Sequence, residues 1–290
     1  MAPRQRGRMQ LLAHGGAGDT PGEPQRRQAV LDDAVERGAA EQTPLAAVER
    51  TIVHLESDPR FNAGVGGAVQ SDGVPRTDAG LMTGDGQVGA VAAMEGVEHA
   101  VSVARLVLEE TPHVLLAGRH AVDLAADYGV GTNIDLWSER SRDRWAEAPA
   151  PPDGARAQLD WVKARFGGSD TVGAVATDGD ALAAATSTGG RWFALAGRVG
   201  DVPQVGSGFF ASETAAASAT GAGEDIARTT LSRLAVDEVE AGADPETAAA
   251  AALETFEERT GSTAGVIVVD DAGRRGSAYN TAAMQTAAES

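Results

Sequence analysis

Residues 167–190 read GGSDTVGAVATDGDALAAATSTGG. Two apolar runs, 171–178 and 181–188, flank an Asp-Gly-Asp turn, so the spacing predicts a β-hairpin. Its entry, Gly-Gly-Ser-Asp, is a flexible breaker. Thr171 thus stands where soft chain meets rigid strand. Taken alone, it reads as an ordinary strand-opening residue, because β-branched side chains favour strands.

The rest of the chain places this hairpin in a layered α/β domain. Residues 10–18, QLLAHGGAG, predict a strand ending in a glycine turn. Two helices follow. The second has Thr43 as N-cap, Pro44 at the first helical position, and Leu45, Val48, Ile52 and Leu55 on one face. RFNAGVGGAVQSDG is a loop entering a strand. Residues 97–109 form an amphipathic helix, HVLLAG a short buried segment, and 119–127 another helix. From 138 to 170 the composition turns polar, with APAPPDGARAQ and RFGGSD as breakers, and reads as a mobile linker. Beyond the hairpin come helices at 223–240 and 245–258, then two closing strands, AGVIVVDD and RRGSAYN. No internal repeat is visible, and element order alone leaves the topology open.

Composition narrows the function. The 290 residues include no cysteine, which excludes disulfides, a cysteine nucleophile and thiolate metal sites. No apolar run approaches a bilayer span, and the N-terminus has no hydrophobic signal core, so a cytoplasmic protein is expected. The net charge is -18, and Lys163 is the only lysine. No basic cluster suits nucleic acid. Acids spread along the chain suggest a solvated shell that salt screens, as in a high-salt cytoplasm. An acidic, alanine-rich composition without that purpose is the alternative.

Common catalytic patterns are missing. HGGAG lacks a G-x-S-x-G partner, no H-E-x-x-H occurs, and the glycine runs match neither a P-loop nor G-x-G-x-x-G. Threonine remains. A mid-chain hydroxyl is a weak nucleophile without a base. Cleavage before Thr171 would supply one, because the new α-amino group, with a pKa of about 8, lies beside its own hydroxyl. Strand periodicity sets Thr186 and Thr188 on one face and Ser187 on the other. AGRVGDVPQ brings Arg198 and Asp201 together. SATGAGED sets Thr220 and Gly221 ahead of a helix, where free N–H groups can face an anion. A threonine nucleophile, a second threonine, an arginine for a carboxylate, an aspartate for an ammonium and a Thr-Gly donor pair make an amino-acid-binding amidase site.

With HGGAG, FNAGVGGAVQSDG, PHVLLAG, DTVGAVATDGDALAAATSTGG, GRVGD, ATGAGE and YNTAAM in this order, the chain resembles the plant-type L-asparaginases, or isoaspartyl peptidases, of the N-terminal nucleophile hydrolases. The resemblance implies a four-layer αββα sandwich and a single domain cut into subunits 1–170 and 171–290. It also implies a homodimer of cleaved protomers acting on L-asparagine and β-aspartyl dipeptides. Cleavage would fall between Asp170 and Thr171. Thr188 would polarise the Thr171 hydroxyl, Asn62 would position it, and Thr220 and Gly221 would form the oxyanion hole. Arg198, Asp201, Gly221 and Gly223 would bind substrate. The resemblance implies no catalytic cofactor, but a structural sodium ion on the carbonyls of Leu55, Glu56, Asp58, Phe61, Ala63 and Val65. His14 is expected to be structural. Departures are Asp170 where the family commonly has glycine, MTG at 82–84, and GGRWFALAGR, whose Trp192 and Phe193 are expected at the substrate mouth. Glycosylasparaginase, or an uncleaved amino-acid-binding relative, is the alternative.

Overall fold

A computed structural model describes residues 8–167 and 170–289. The predicted hairpin forms, as β5 (Val172–Thr177) and β6 (Leu182–Thr188). Every residue of both strands is buried, so each face needs a covering layer. On one side β5 pairs with β1 (Gln10–Gly18), which pairs with β11 (Ala283–Glu289). On the other, β6 pairs with β2 (Arg76–Thr83), which leads to β3 (Val88–Glu95) and the short β4 (Leu115–Ala117). β4 is an edge strand and largely exposed, so HVLLAG, expected to be buried, is not. All neighbours in this seven-stranded sheet are antiparallel except β3 and β4.

One face of the sheet is covered by α1 (Pro24–Ala39), α2 (Pro44–Glu56), α3 (Ala100–Glu110) and α4 (Gly118–Asp127). The other meets a second antiparallel sheet, ordered β10 (Arg275–Tyr279), β9 (Ala264–Asp270), β8 (Ala215–Gly221) and β7 (Phe209–Ala211). Behind that sheet lie α8 (Leu231–Glu240) and α9 (Pro245–Thr260). The result is the αββα sandwich. Small residues let the two sheets approach. A methyl group on Gly80 of β2 would lie 2.0 Å from a ring carbon of Phe209, and one on Gly173 of β5 would lie 2.0 Å from Ser218 Oγ.

Local chemistry sets the helix ends. Thr43 Oγ1 accepts from Ala46 N at 3.3 Å, with Pro44 behind it. Asp244 Oδ1 accepts from the amides of Glu246 and Thr247 ahead of α9. The helix expected over 223–240 is broken into α7 (Gly223–Thr229) and α8. Thr230 turns left-handed at φ 53°, and Ser232 and Arg233 give their amides to the carbonyls of Ser207 and Gly206. A loop thus caps α8, a partner invisible to local periodicity.

The polar segment expected as an irregular linker carries two helices, α5 (Glu139–Glu147) and α6 (Ala155–Arg165). Sparse aromatic residues hold them. Trp145 and Trp161 pack on Phe193 with ring centroids 6.0 and 5.3 Å apart, and Trp137 joins edge-on at 6.3 Å from Trp145. Three strands rather than two close the chain. β11 has a weakly apolar sequence and owes its place to pairing with β1, from Leu11 opposite Glu289 to Ala17 opposite Met284.

Gly80→Ala is expected to destabilise the sandwich by about 1–3 kcal/mol, because Phe209 is enclosed and its ring must move. A urea melt should show a lower midpoint; an unchanged midpoint would mean the sheets can part at no cost.

Candidate active site

Thr171 sits at the open end of the hairpin, immediately before β5, and is buried. Its Oγ1 donates to Thr188 Oγ1 at 3.3 Å, one position beyond the last pairing of β5 with β6, Val172 opposite Ser187. Thr188 Oγ1 also lies 3.2 Å from the carbonyl oxygen of Asp170. Asn62 Nδ2 donates to that same carbonyl at 2.6 Å, and to Gly190 O at 2.6 Å. Two donors therefore converge on the peptide carbonyl preceding Thr171. Asn62 is fixed in turn: its Oδ1 accepts from Ala68 N at 2.7 Å, and its carbonyl accepts from Gly189 N at 2.9 Å. Gly189 and Gly67 are in backbone contact there, which leaves no room for a side chain at Gly189.

The alternation expected in β6 is present. Ser187 faces the helix layer and gives its hydroxyl to Glu56 Oε1 at 2.6 Å, while Thr186 faces the second sheet. Glu56 also accepts from Val101 N at 3.1 Å, and His99 Nδ1 lies 3.6 Å from its other oxygen. Burial raises the Glu56 carboxyl above its ordinary range, against the opposing His99 and Ser187 contacts. The C-terminal end of α2 is thereby tied to the strand that carries Thr188.

Across the sheets, Thr186 Oγ1 meets Ser218 Oγ at 2.7 Å, and Ser218 Oγ meets His14 Nε2 at 2.9 Å. Ser218 and Thr220 share one face of β8 by period two, and that face looks onto Gly173 and so onto the Thr171 side of β5. Thr220 is fully buried, and its hydroxyl accepts from Ala17 N of the HGGAG strand at 3.3 Å. Gly221 holds φ 141°, and a side chain there would strike Thr263 and Ala264. Burial lowers His14 to about 3, opposed by its contact with the Thr171 backbone. His14 is thus a neutral fixture of the interior, as expected.

Arg198 and Asp201 are also together, at the edge of the same site. Asp201 is buried and its Oδ2 has no hydrogen-bond partner. Burial pushes its carboxyl up to about 6, against the pull of Arg198. Gly223 closes the group: a methyl group there would lie 2.4 Å from Asp201 Oδ1 and 2.9 Å from Arg198 Nη2. Three neighbours escaped the sequence reading. Glu224 accepts from Arg198 Nε at 2.8 Å and from Arg191 Nη1 at 3.1 Å. Asp78 of β2, opposite Thr188, is likewise pushed up to about 6 by burial. Arg27 of α1 pairs with Asp170, Nη2 to Oδ2 at 3.3 Å, and donates to the carbonyl of Gly15. Only Glu224 had a signal, as an acid in GAGED beside the expected donor pair.

Trp192 lines the cavity at the site, as expected. Phe193 does not: it turns into the aromatic cluster with Trp145 and Trp161, which needs a buried partner from the second half of the chain.

Among the described residues no group of three or more acidic or histidine side chains is placed to hold a metal. The loop 55–65 offers backbone oxygen instead. The carbonyls of Glu56 and Asp58 accept from the amides of Val65 and Phe61 at 2.9 and 3.1 Å and each keeps a second lone pair, whereas the carbonyl of Leu55 accepts from the amides of both Ser57 and Asp58. Carbonyl donors of this kind fit a hard cation such as sodium.

The sandwich and its buried threonine pair, with an arginine and an aspartate at its edge, define a candidate amide hydrolase. The chain belongs to the asparaginase family: the family model described as asparaginase matches residues 7–290. It is 44% identical over 285 residues to a plant-type L-asparaginase of Pyrobaculum calidifontis, covering 94% of each chain. It is 40% identical to a plant-type L-asparaginase of Pyrococcus abyssi, over 96% of this chain and 95% of that one. An isoaspartyl peptidase/L-asparaginase of Rattus norvegicus is 36% identical over 96% of this chain and 85% of its own.

In NMR spectra of histidine-labelled protein, His14 should stay neutral down to about pH 4, because burial holds it near 3. A midpoint near the ordinary 6.5 would place His14 in contact with water and overturn the packed interior described here.

Proposed function

We propose that the protein is an autoproteolytically activated amidohydrolase. It hydrolyses L-asparagine to L-aspartate and ammonia, and cleaves β-aspartyl dipeptides. The convergence of Asn62 and Thr188 on the Asp170 carbonyl, with the Thr171 hydroxyl against Thr188, carries this reading.

Activation follows from that geometry. The two donors polarise the Asp170 carbonyl and stabilise negative charge on its oxygen. Thr171 Oγ attacks the carbonyl carbon, the C–N bond breaks, and the nitrogen takes up a proton. Water then hydrolyses the resulting ester, leaving a carboxylate on Asp170 and a free amine on Thr171. That amine is the base the mid-chain threonine lacked.

In catalysis the amine accepts the Thr171 hydroxyl proton as Oγ attacks the side-chain amide carbon. Thr220 and Gly221 serve the oxyanion, supported by the place of Thr220 on the β8 face toward Thr171 and by the position of Gly221 next to it at the end of β8. The leaving nitrogen takes the proton and departs, and water releases aspartate from the β-aspartyl ester. Arg198 receives the substrate α-carboxylate in exchange for Glu224, and Asp201 the α-ammonium. The carbonyls of Leu55, Glu56, Asp58, Phe61, Ala63 and Val65 would hold a structural sodium ion, with no part in the chemistry. A homodimer of cleaved protomers is the working unit; exposed Val114 and Leu115 at the edge strand β4 and exposed Tyr128 after α4 support a covered face there. No helix among the described residues is long and apolar enough to cross a membrane, and we place the enzyme in the cytoplasm.

Ammonia release from asparagine, with β-Asp-Leu and a glycosylated asparagine as comparisons, tests the activity. Arg198→Ala should raise the asparagine KM at least about 30-fold, since losing a buried charge pair costs about 2–5 kcal/mol. The Thr171 amine must be neutral and Asp201 ionised, so kcat/KM should fall as pH drops through about 8 and fall more steeply below about 6, where Asp201 protonates. An unchanged KM, or full kcat/KM at pH 4.5, removes these residues from the site. Preferred cleavage of glycosylated asparagine would favour a glycosylasparaginase, and a cleaved chain inert on all three would exclude the reading.

We also propose that the -18 charge adapts the protein to high salt. Melting temperature and activity should rise together into molar KCl as repulsion is screened. A flat or falling melting temperature would leave the acidity without that purpose.

A further inference from the structure

Five arginines, Arg27, Arg60, Arg140, Arg144 and Arg191, line one cavity of about 990 Å³ that opens beside Asn62 and Asp170. Three are held by carboxylates. Arg27 pairs with Asp170 at 3.3 Å, Arg60 with Asp58 at 2.7 Å and Arg191 with Glu224 at 3.1 Å. Arg140 and Arg144 have no carboxylate within 4.0 Å among the described residues, although acids stand elsewhere in the lining. They are four apart on α5 and so share one face of it. Like charges in that relation repel, and burial together with Arg140 lowers Arg144 from its ordinary value.

The helix is not free to relieve this. Ser138 caps α5 with a reciprocal bond to Ser141, Gly66 donates to the carbonyl of Leu136 at 2.9 Å, and Trp145 is locked among three aromatic rings. Arg144 itself lies over Trp192, Cζ to ring centroid 4.4 Å. Trp192 belongs to the chain after the Asp170–Thr171 bond, so the contact ties α5 to the second subunit. Two guanidinium groups without a direct carboxylate partner thus stand exposed at the mouth of the cleft that leads to Thr171, Arg140 feeling the Asp170 carboxylate only at longer range, and planar forks of this kind match a carboxylate.

Asparagine cannot supply that carboxylate, because its leaving group is ammonia. A β-aspartyl dipeptide can. The α-carboxylate carbon of its leaving residue lies about 2.5 Å from the scissile nitrogen by bond lengths, so whatever reads it must line this cleft. We infer that Arg140 and Arg144 receive the free α-carboxylate of the leaving residue, and so select β-aspartyl dipeptides over substrates with uncharged leaving groups. The inference rests on the proposed amidohydrolase activity. A second source of the same chemistry is the carboxylate that cleavage creates on Asp170, beside Arg27.

The test compares kcat/KM for β-Asp-Leu, β-Asp-Leu-amide and asparagine in wild type and in the Arg140→Gln/Arg144→Gln double variant. Cleavage at Thr171 reports that each protein has folded. Wild type should favour the acid over the amide by about 10- to 100-fold, as a charge-assisted pair implies, mainly through KM. The double variant should lose that preference. Equal rates on acid and amide in wild type would overturn the inference, as would a preference that survives in the variant. If the arginines serve the new Asp170 terminus instead, all three substrates will fall together in the variant, and the inference fails. A wild-type protein that hydrolyses none of the three refutes the proposed activity itself; one that hydrolyses asparagine without reading the carboxylate refutes only the role of the arginines.

Discussion

The contact between Thr171 and Thr188 is the constraint on which the molecule turns. It joins the open end of one hairpin, and a hydrogen bond at 3.3 Å has value only if both strands are rigid. Rigidity is provided by burial of the hairpin on both faces, between the helices α1–α4 and a second sheet. The small residues of β5, β6 and β8 serve the same end, since larger ones would force the sheets apart. The Thr188 hydroxyl is thus held between the Thr171 hydroxyl and the Asp170 carbonyl by the packing of the whole sandwich rather than by a local turn.

Charge buried around this point is costly and is held by specific partners. Asp78 and Asp201 flank Arg198, and each has its carboxyl raised to about 6 because burial outweighs the guanidinium. Glu224 satisfies Arg198 at 2.8 Å, whereas Asp201 Oδ2 has no hydrogen-bond partner. This is where the proposed substrate, a zwitterionic amino acid, would set its carboxylate on Arg198 and its ammonium on Asp201. Asp170 is treated differently: burial raises its carboxyl, while Arg27 and Arg140 pull it back. An acid before the nucleophile is therefore accommodated by α1 and α5, elements far from it in sequence.

The hairpin, the capped helices α2 and α9 and the alternation of Thr186, Ser187 and Thr188 were legible because each rests on local pattern. So was the union of Thr171, Thr188 and Asn62, through resemblance rather than spacing. What stayed hidden depends on distant partners. Arg27 sits in an ordinary amphipathic helix, and only the fold shows that it reaches Asp170. The segment 138–167 looked like linker because four tryptophans and a phenylalanine, spread over 57 residues from Trp137 to Phe193, carry its packing. Such a cluster has no period to detect. The break at Thr230 is set by carbonyls of the 206–207 loop, and β11 by its partner β1.

The central claim is that this geometry breaks one peptide bond and thereby makes its own base. Intact-mass measurement of purified, active protein, with sequencing of its N-termini, addresses it directly. The expected result is two copurifying chains of about 17 and 12 kDa from the 29.6 kDa precursor, the smaller beginning at Thr171. A single uncut chain that still hydrolyses asparagine would contradict it, because Thr171 would then have no amine to serve as its base.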